Sequence, residues 1–387
     1  MLYRETGQFK TSYSADMAIF PLRADRTALL VLLAVMFIGV PLLTHLQIWP
    51  FGSEYLLRAI LIPFLILSLA AIGVNILIGY CGQISLGSGA FMAIGAYMAY
   101  KFGTGIGEIG LPPLPVLASI LLGGLCSAIV GVLFGIPSLR IKGLYLAVAT
   151  LAAQFFFDWV FLRVKWFVNY ASSGSVSAPD LIFFGYHVDT PVDRYLLCLT
   201  LVSIFALLAK NLVRGSIGRQ WMAIRDMDIA AELMGIRPFF AKLTAFAVSS
   251  FIVGVAGALW AFVYLGAWEP LAFDINRSLQ LLFMVIIGGL GSIFGSFLGA
   301  GFILVTPIML NILLPYVAAP IVAIGNATGS EWFLHLAQHI TSTETISHVE
   351  FIVFGSLICF LLIKEPHGFA RLMSLLKEKL RLWPYPY

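Results

Sequence analysis

Apolar residues run along this chain in long blocks separated by short polar connections. A membrane-crossing helix needs roughly 20 apolar residues, and fewer where it packs inside a bundle. By that measure the blocks near 28–48, 55–79, 84–101, 113–136, 143–162, 194–213, 240–265, 278–289, 293–315 and 349–364 read as helices. The third and eighth are short and broken by glycine. The pattern predicts an all-α, polytopic transmembrane bundle of about ten spans with interrupted helices. Residues 1–27 form a polar segment too charged for the apolar stretch of a signal peptide, 28–364 the membrane domain, and 365–387 a polar tail.

Composition strengthens that reading. Of the 387 residues, 60% are hydrophobic and 11% charged, whereas a soluble domain carries about a quarter charged. So apolar a chain takes the bilayer as its solvent. The net charge of +4 is spread in short basic clusters, which suit an anionic lipid surface and exclude the continuous basic face of a nucleic-acid binder. Cys81, Cys126, Cys198 and Cys359 all lie in apolar blocks without a CxxC pair, so neither a metal site nor a disulfide framework is expected. No GxxxxGK[ST] loop occurs, so no ATP hydrolysis is expected of this chain, and no cofactor.

Basic residues also set the sides. With the N-terminus cytoplasmic and all ten blocks crossing, the inside holds Arg4, Lys10, Arg23 and Arg26; Arg140 and Lys142; Lys210, Arg214, Arg219, Arg225, Arg237 and Lys242; and Lys364, Arg371, Lys377, Lys379 and Arg381. That is 17 of the 23 Lys and Arg. The external loops become 163–193 and 316–348, and both termini are cytoplasmic. Glu331, His335 and His339 recur at four-residue spacing in the second loop, with His348 nearby. A metal site and an amphipathic helix at the outer surface both fit that spacing, and the helix is the reading preferred.

Three segments carry candidate function. In 75–97, Asn75, Gln83, Ser85 and Ser88 stand among apolar residues, with Gly79, Gly82, Gly87, Gly89 and Gly95 around them. Polar groups in hydrocarbon must face protein or a wet path, and glycine permits both close packing and a helix break whose freed backbone can contact a solute. Asn75, Gln83, Ser85 and Gly87 are the candidates for a translocation path; Ser88, Gly89 and Gly95 read as packing. In 281–300, Gly288, Gly289 and Gly291 predict a helix–break–helix turn, a second candidate part of the path. The third segment is the polar connection 214–239, where Trp221, Ile224, Ile229, Leu233 and Met234 alternate with charges as in two short helices. Asp228 is placed to cap the second helix, Gly235 to end it and Pro238 to block its extension. Such a knob between spans suits docking into a partner's groove, or lying on the membrane surface.

At this point the chain resembles the branched-chain amino acid permeases of ATP-binding-cassette importers, the LivH/LivM type. The likeness covers most of 55–370 and rests on GYCGQISLGSGAFMAIGAY, GRQWMAIRDMDIAAELMGI, AFAVSSFIVGVAGALWA and GGLGSIFGSFLGA, in that order, with an EPxG-like ending at 365–368. The resemblance implies that 214–239 holds a cytoplasmic coupling helix for an ATPase, of pattern EAA-x3-G. Ala230, Ala231 and Gly235 keep the spacing, with Gly218, Arg219, Ala223, Arg225 and Asp228 beside them; Ile229 replaces the glutamate. It further implies separate ATPase subunits, a second homologous permease in a heterodimer, a periplasmic substrate-binding protein and an inner-membrane location. Two departures bear on the solute: Ser172–Pro179 replaces a TGG-type motif, and the fifth span carries Gln154 and Asp158 in place of a glutamate. Urea, amides and aromatic acids are handled by similar permeases. An ion-coupled transporter would need an ionisable residue deep in a span, and a membrane enzyme a catalytic cluster; Asp158 and the 331–348 histidines are the nearest each comes.

Overall fold

The computed structural model describes residues 12, 23–46, 53–107, 110, 112–138, 144–171, 173–183, 185–328, 331–332, 335, 338–339, 342–364 and 368–382. Arg4, Lys10, Arg140, Lys142, Ser172 and 365–367 lie outside the described residues. Helices dominate: α1 (Asp25–His45), α2 (Leu56–Tyr80), α3 (Ser88–Thr104), α4 (Val116–Ser138), α5 (Leu144–Arg163) and α6 (Pro191–Arg214) come first. Two short helices follow, α7 (Ser216–Asp226) and α8 (Asp228–Leu233). Then come α9 (Pro238–Leu265), α10 (Ile275–Gly288), α11 (Ile293–Thr328), α12 (Thr343–Lys364) and α13 (Gly368–Leu382). Among the described residues, nine helices are long and apolar enough to cross a membrane. The third apolar block is the exception: it folds as the 17-residue α3, preceded by a non-helical stretch at 82–87. The chain is a multi-pass membrane protein with an all-α bundle.

The centre is α2 and α9, flanked by α3, α4, α10 and α11. Helices in hydrocarbon gain no hydrophobic drive from one another, so close backbone approach must supply the packing. Gly95 of α3 lies against the backbone of Gly254 in α9, where a methyl group would collide. Peripheral helices show the opposite: α1 keeps Leu30, Val31 and Ile38 on the surface, and α12 keeps Phe351, Ile352 and Ile363 there. Outward apolar rows of this kind are stable only against lipid or another subunit.

Connections sort to two ends. At one, Gly79 and Gly82 meet Arg225 of α7, Arg225 meets Gly291, and Gly368 lies against Gly289. At the other, β1 (Val176–Ser177) pairs with β4 (Ala267–Trp268), and Lys101 hydrogen-bonds Asn169. This sorting sets the ends of α2 and α10 with α7 on one side, and the ends of α3, α5 and α9 together on the other. The 163–193 loop is folded, with a 3-10 turn at Lys165–Val168 and a hairpin of β2 (Ile182–Phe183) and β3 (Tyr186–His187). The second expected loop, 316–348, is corrected: α11 continues to Thr328, because the apolar run reaches Ala323 and the helix carries Pro307, Pro315 and Pro320 within it. Membrane helices tolerate proline where neighbours satisfy the freed backbone. Among the described residues no three His, Cys, Asp or Glu side chains gather as a metal would need, and Glu331, His335 and His339 are exposed.

Candidate functional site

Two helix breaks lie in the bundle. The first follows α2, whose last turn, Ile76–Tyr80, is widened to π-helical form. Such turns release backbone groups and recur at functional sites. Residues 82–87 then run without helix before α3. The depth of this segment follows from what it touches. Its lower end, Gly82, shares a level with Gly291 through Arg225, while just past its upper end the amide of Gly89 donates to Ser278 Oγ at 2.7 Å. Ser278 stands ten residues before Gly288 in α10, about 15 Å at 1.5 Å per residue. The unwound stretch therefore climbs about half of a hydrocarbon core some 30 Å thick.

Backbone amides at such depth need partners. The Leu86 amide donates to Thr150 Oγ1 (2.9 Å) and the Gly87 amide to Ser85 Oγ (3.4 Å). Ala90, in the first turn of α3, donates to Gln154 Oε1 at 2.6 Å, and Ser278 Oγ donates to the same oxygen at 2.9 Å. Gln154 Nε2 in turn donates to the Phe273 carbonyl (2.9 Å) and to Asp158 Oδ1 (3.0 Å). Thr150, Gln154 and Asp158 stand at i, i+4 and i+8, so they share one face of α5. They form a polar ladder from the unwound segment toward the 163–193 end.

The second break, at 289–292, is held by one side chain. Asn75 Nδ2 donates to the Ser292 carbonyl (2.8 Å), Ser296 Oγ (2.9 Å) and, at 3.5 Å, the Gly289 carbonyl; its Oδ1 accepts from the Gly291 amide at 2.9 Å. Gly289 and Gly291 both carry positive φ, at 118° and 75°, the region only glycine enters without strain. Arg225 joins the two breaks: Nη1 donates to the Gly79 carbonyl at 2.8 Å and its stem packs on Gly82, while Asp226 pairs with the same guanidinium at 2.9 Å.

Arg225 belongs to α7, which is pinned to the bundle by fully buried Trp221, whose Nε1 donates to Thr244 Oγ1 of α9 at 3.1 Å. In α8, Asp228 is not the expected cap. Met227 holds the capping position with extended backbone, and Asp228 begins the helix, where its charge favours the positive end. Gly235 ends it as expected, in a Schellman turn: its amide donates to Glu232 O and that of Ile236 to Ala231 O. Pro238 opens α9. Gly218 and Ala231 are buried against the protein's own bundle, with Ala230 and Ala223 half-buried, while Arg219 and Gly235 are exposed. What the pair presents outward is Met227, Ile229, Leu233 and Met234, between 70% and 85% exposed.

Of the expected path residues, the structure brings Asn75, Gly289 and Gly291 together, with Gly288 next to them at the end of α10, packed on Gly295. Ser85 and Gly87 form a separate group beside Thr150. Gln83 and Gly291 stay half-exposed, while the other five are buried. Sequence reasoning missed Thr150, Ser278, Ser292 and Ser296. A Thr-x3-Gln-x3-Asp row inside an apolar block was the available signal for the first.

A family model described as the permease component of branched-chain amino acid transport systems matches residues 56–333. The chain is 32% identical over 290 residues to the high-affinity branched-chain amino acid transport system permease protein LivM of Salmonella typhimurium, covering 67% of this chain and 64% of that protein. It is 32% identical over 293 residues to LivM of Escherichia coli, covering 67% and 65%. The match thus spans just under two thirds of the length of these curated relatives. No solved structure matches.

Proposed function

The chain belongs to the branched-chain amino acid transport permease family, and on that premise we propose that it is the membrane-spanning permease subunit of an ATP-binding-cassette importer. The solute is a branched-chain or related amino acid, delivered by a periplasmic binding protein. ATP is hydrolysed on separate subunits, and a second, homologous permease completes the pore as a heterodimer. Both termini and the α7–α8 pair face the cytoplasm of a bacterial inner membrane, as the basic residues favour.

One observation carries the reading: Arg225 reaches from an exposed helix pair to the carbonyl that ends α2, at the foot of the unwound segment. Motion forced on α7–α8 by an ATPase passes to the interrupted helices through this charge-assisted hydrogen bond and the packing of Arg225 on Gly82 and Gly291. Met227, Ile229, Leu233 and Met234 give that ATPase an apolar ridge to grip. The solute path follows 82–87, with Gln83 and Gly291 nearest the solute, while Asn75, Ser85, Gly87, Gly288 and Gly289 shape the breaks.

The test is ATP-driven leucine uptake in vesicles, with co-purification of the ATPase, for wild type and for Leu233→Asp. Wild type should take up leucine only with ATP inside; L233D should stay monodisperse yet lose both the ATPase and at least about tenfold of uptake. Uptake by the permease alone, or labelling of 219–237 from the outer face, would show the reading to be wrong.

A further inference from the structure

The polar ladder on α5 ends at Asp158, and the neighbouring end of α10 carries an opposite charge. Gln154 Nε2 donates both to Asp158 Oδ1 and to the Phe273 carbonyl, so one amide group fixes Asp158 beside the start of α10. Asp274 is consumed there as a helix cap: Oδ1 accepts from the Arg277 amide (3.3 Å) and Oδ2 from Asn276 Nδ2 (2.7 Å). Its charge repels that of Asp158 and attracts that of Arg277.

Arg277 is the unusual member. Its guanidinium lies 4.5 Å from the centre of the Trp260 ring, and Nη1 donates to Gln280 Oε1 at 2.6 Å. Its Nε is buried without a hydrogen-bond partner, as is Nε1 of Trp260, a residue only 4% exposed. Among the described residues, no ion pair within 4 Å engages Arg277 or Asp158. A guanidinium stacked on tryptophan keeps its edge for an anion, and its fork matches a carboxylate. Asp158 has one oxygen on Gln154 and the second to offer a cation. A purely structural pair would close on itself, because separated charges are costly in an apolar bundle.

We propose that Arg277 and Asp158 form a recognition subsite for the zwitterionic head of an α-amino acid. Arg277 holds the carboxylate and Asp158, backed by Asp274, holds the ammonium. The subsite rests on the transport reading above and deepens it. It lies at the top of the ladder, on the side from which the binding protein delivers, so the solute meets it before the unwound segment. It selects a class, amino acids with both charges free, and leaves the side chain to the binding protein.

The experiment uses the purified permease–ATPase assembly in lipid nanodiscs, without binding protein. Tritiated L-leucine is the probe, with isoamylamine (leucine lacking the carboxylate) and 4-methylpentanoate (leucine lacking the amine) as competitors. Wild type should prefer leucine to either analogue by at least about tenfold, the weight of one charge-assisted contact. Arg277→Gln should weaken leucine by about tenfold and erase its advantage over isoamylamine alone. Asp158→Asn should erase the advantage over 4-methylpentanoate alone. Should R277Q fail to assemble, R277K, which keeps the charge and loses the fork, should narrow the first ratio and leave the second.

Ratios unchanged in both variants, or shifted equally for all three ligands, would overturn the subsite. A wild-type assembly that binds no leucine, while uptake stays ATP-driven, overturns the subsite and spares the transport reading. Absence of any ATP-driven amino acid uptake overturns the transport reading first.

Discussion

The two helix breaks solve the same problem by different means. At 82–87 and in the first turn of α3 that follows, side chains from α5 and α10 satisfy free backbone amides one at a time: Thr150 for Leu86, Ser278 for Gly89, Gln154 for Ala90. At 289–292 a single residue, Asn75, closes the turn with both ends of its amide. Distributed support tolerates the loss of one member, and it leaves a long stretch of backbone irregular at mid-depth. Concentrated support makes a rigid corner that moves as a unit. Arg225 meets both: its guanidinium donates to the Gly79 carbonyl and its stem packs on Gly82 at the foot of the soft break, and it lies beside Gly291 of the stiff corner. A lever placed there pushes on the stiff corner as a unit, and leaves the irregular stretch beyond that foot for the solute path.

The sharpest way to break that contrast is to overfill the stiff corner. Gly288 packs on the backbone of Gly295 and Gly299, so a Cβ there meets peptide groups that cannot turn aside. Gly288→Val should leave little monodisperse permease in a fluorescence-detected sizing run, because overpacking a backbone contact costs at least about 1–3 kcal/mol and more where nothing yields. Gly87 also abuts a backbone atom, Thr150 O at 2.7 Å from an added Cβ, a looser approach than that of Gly295 O at Gly288, and it lies in irregular chain that can shift. G87A should retain most of the peak. Equal losses for the two variants would remove the distinction.

Cutting the lever comes next. Arg225→Ala removes the donor to the Gly79 carbonyl and leaves Met227, Ile229, Leu233 and Met234 untouched. ATPase co-purification and hydrolysis should persist, while leucine uptake falls by about tenfold or more, given roughly 1.5–3 kcal/mol for a hydrogen bond to a charged group. Arg225→Lys should recover part of it. Uptake that matches wild type would mean that force reaches the breaks by another route.

The bundle itself was legible in the sequence, since hydrocarbon demands long apolar blocks and basic residues mark their sides. Gly288, Gly289 and Gly291 announced the second break, because no ordinary helix spends three glycines in four positions. The α7–α8 pair was legible from Gly235 and Pro238, though the cap was misjudged: Asp228 lies one residue inside the helix. Ala231 entered as part of the coupling pattern that the resemblance implies, and it is buried against the protein's own bundle; a small residue shows that something approaches closely, without saying what. The ladder was half visible. Gln154 and Asp158 stood out as polar and pair locally at four-residue spacing, but the other partners of Gln154 are an amide 64 residues away and a carbonyl 119 away, pairings that no local pattern contains. The block ended at 315 in the sequence, whereas α11 runs to Thr328 with Pro307, Pro315 and Pro320 inside it, as membrane helices tolerate where neighbours satisfy the freed backbone.

The smallest expected effect tests the soft break alone. Thr150→Val keeps the shape of the side chain and removes the acceptor for the Leu86 amide, together with the donor to Ala147 O. No cavity opens, so the change is confined to one unsatisfied amide, about 1–3 kcal/mol at most, and partly relieved because 82–87 can move. The protein should assemble, bind its ATPase and lose only a few degrees of thermal midpoint. Its leucine uptake should show a changed KM with kcat nearly kept, since the solute path bends while the lever stays intact. The opposite split, kcat lost and KM kept, belongs to Arg225→Ala. If T150V behaved like R225A, the two breaks would be one mechanical unit, and the path could not be assigned to 82–87 apart from the corner that drives it.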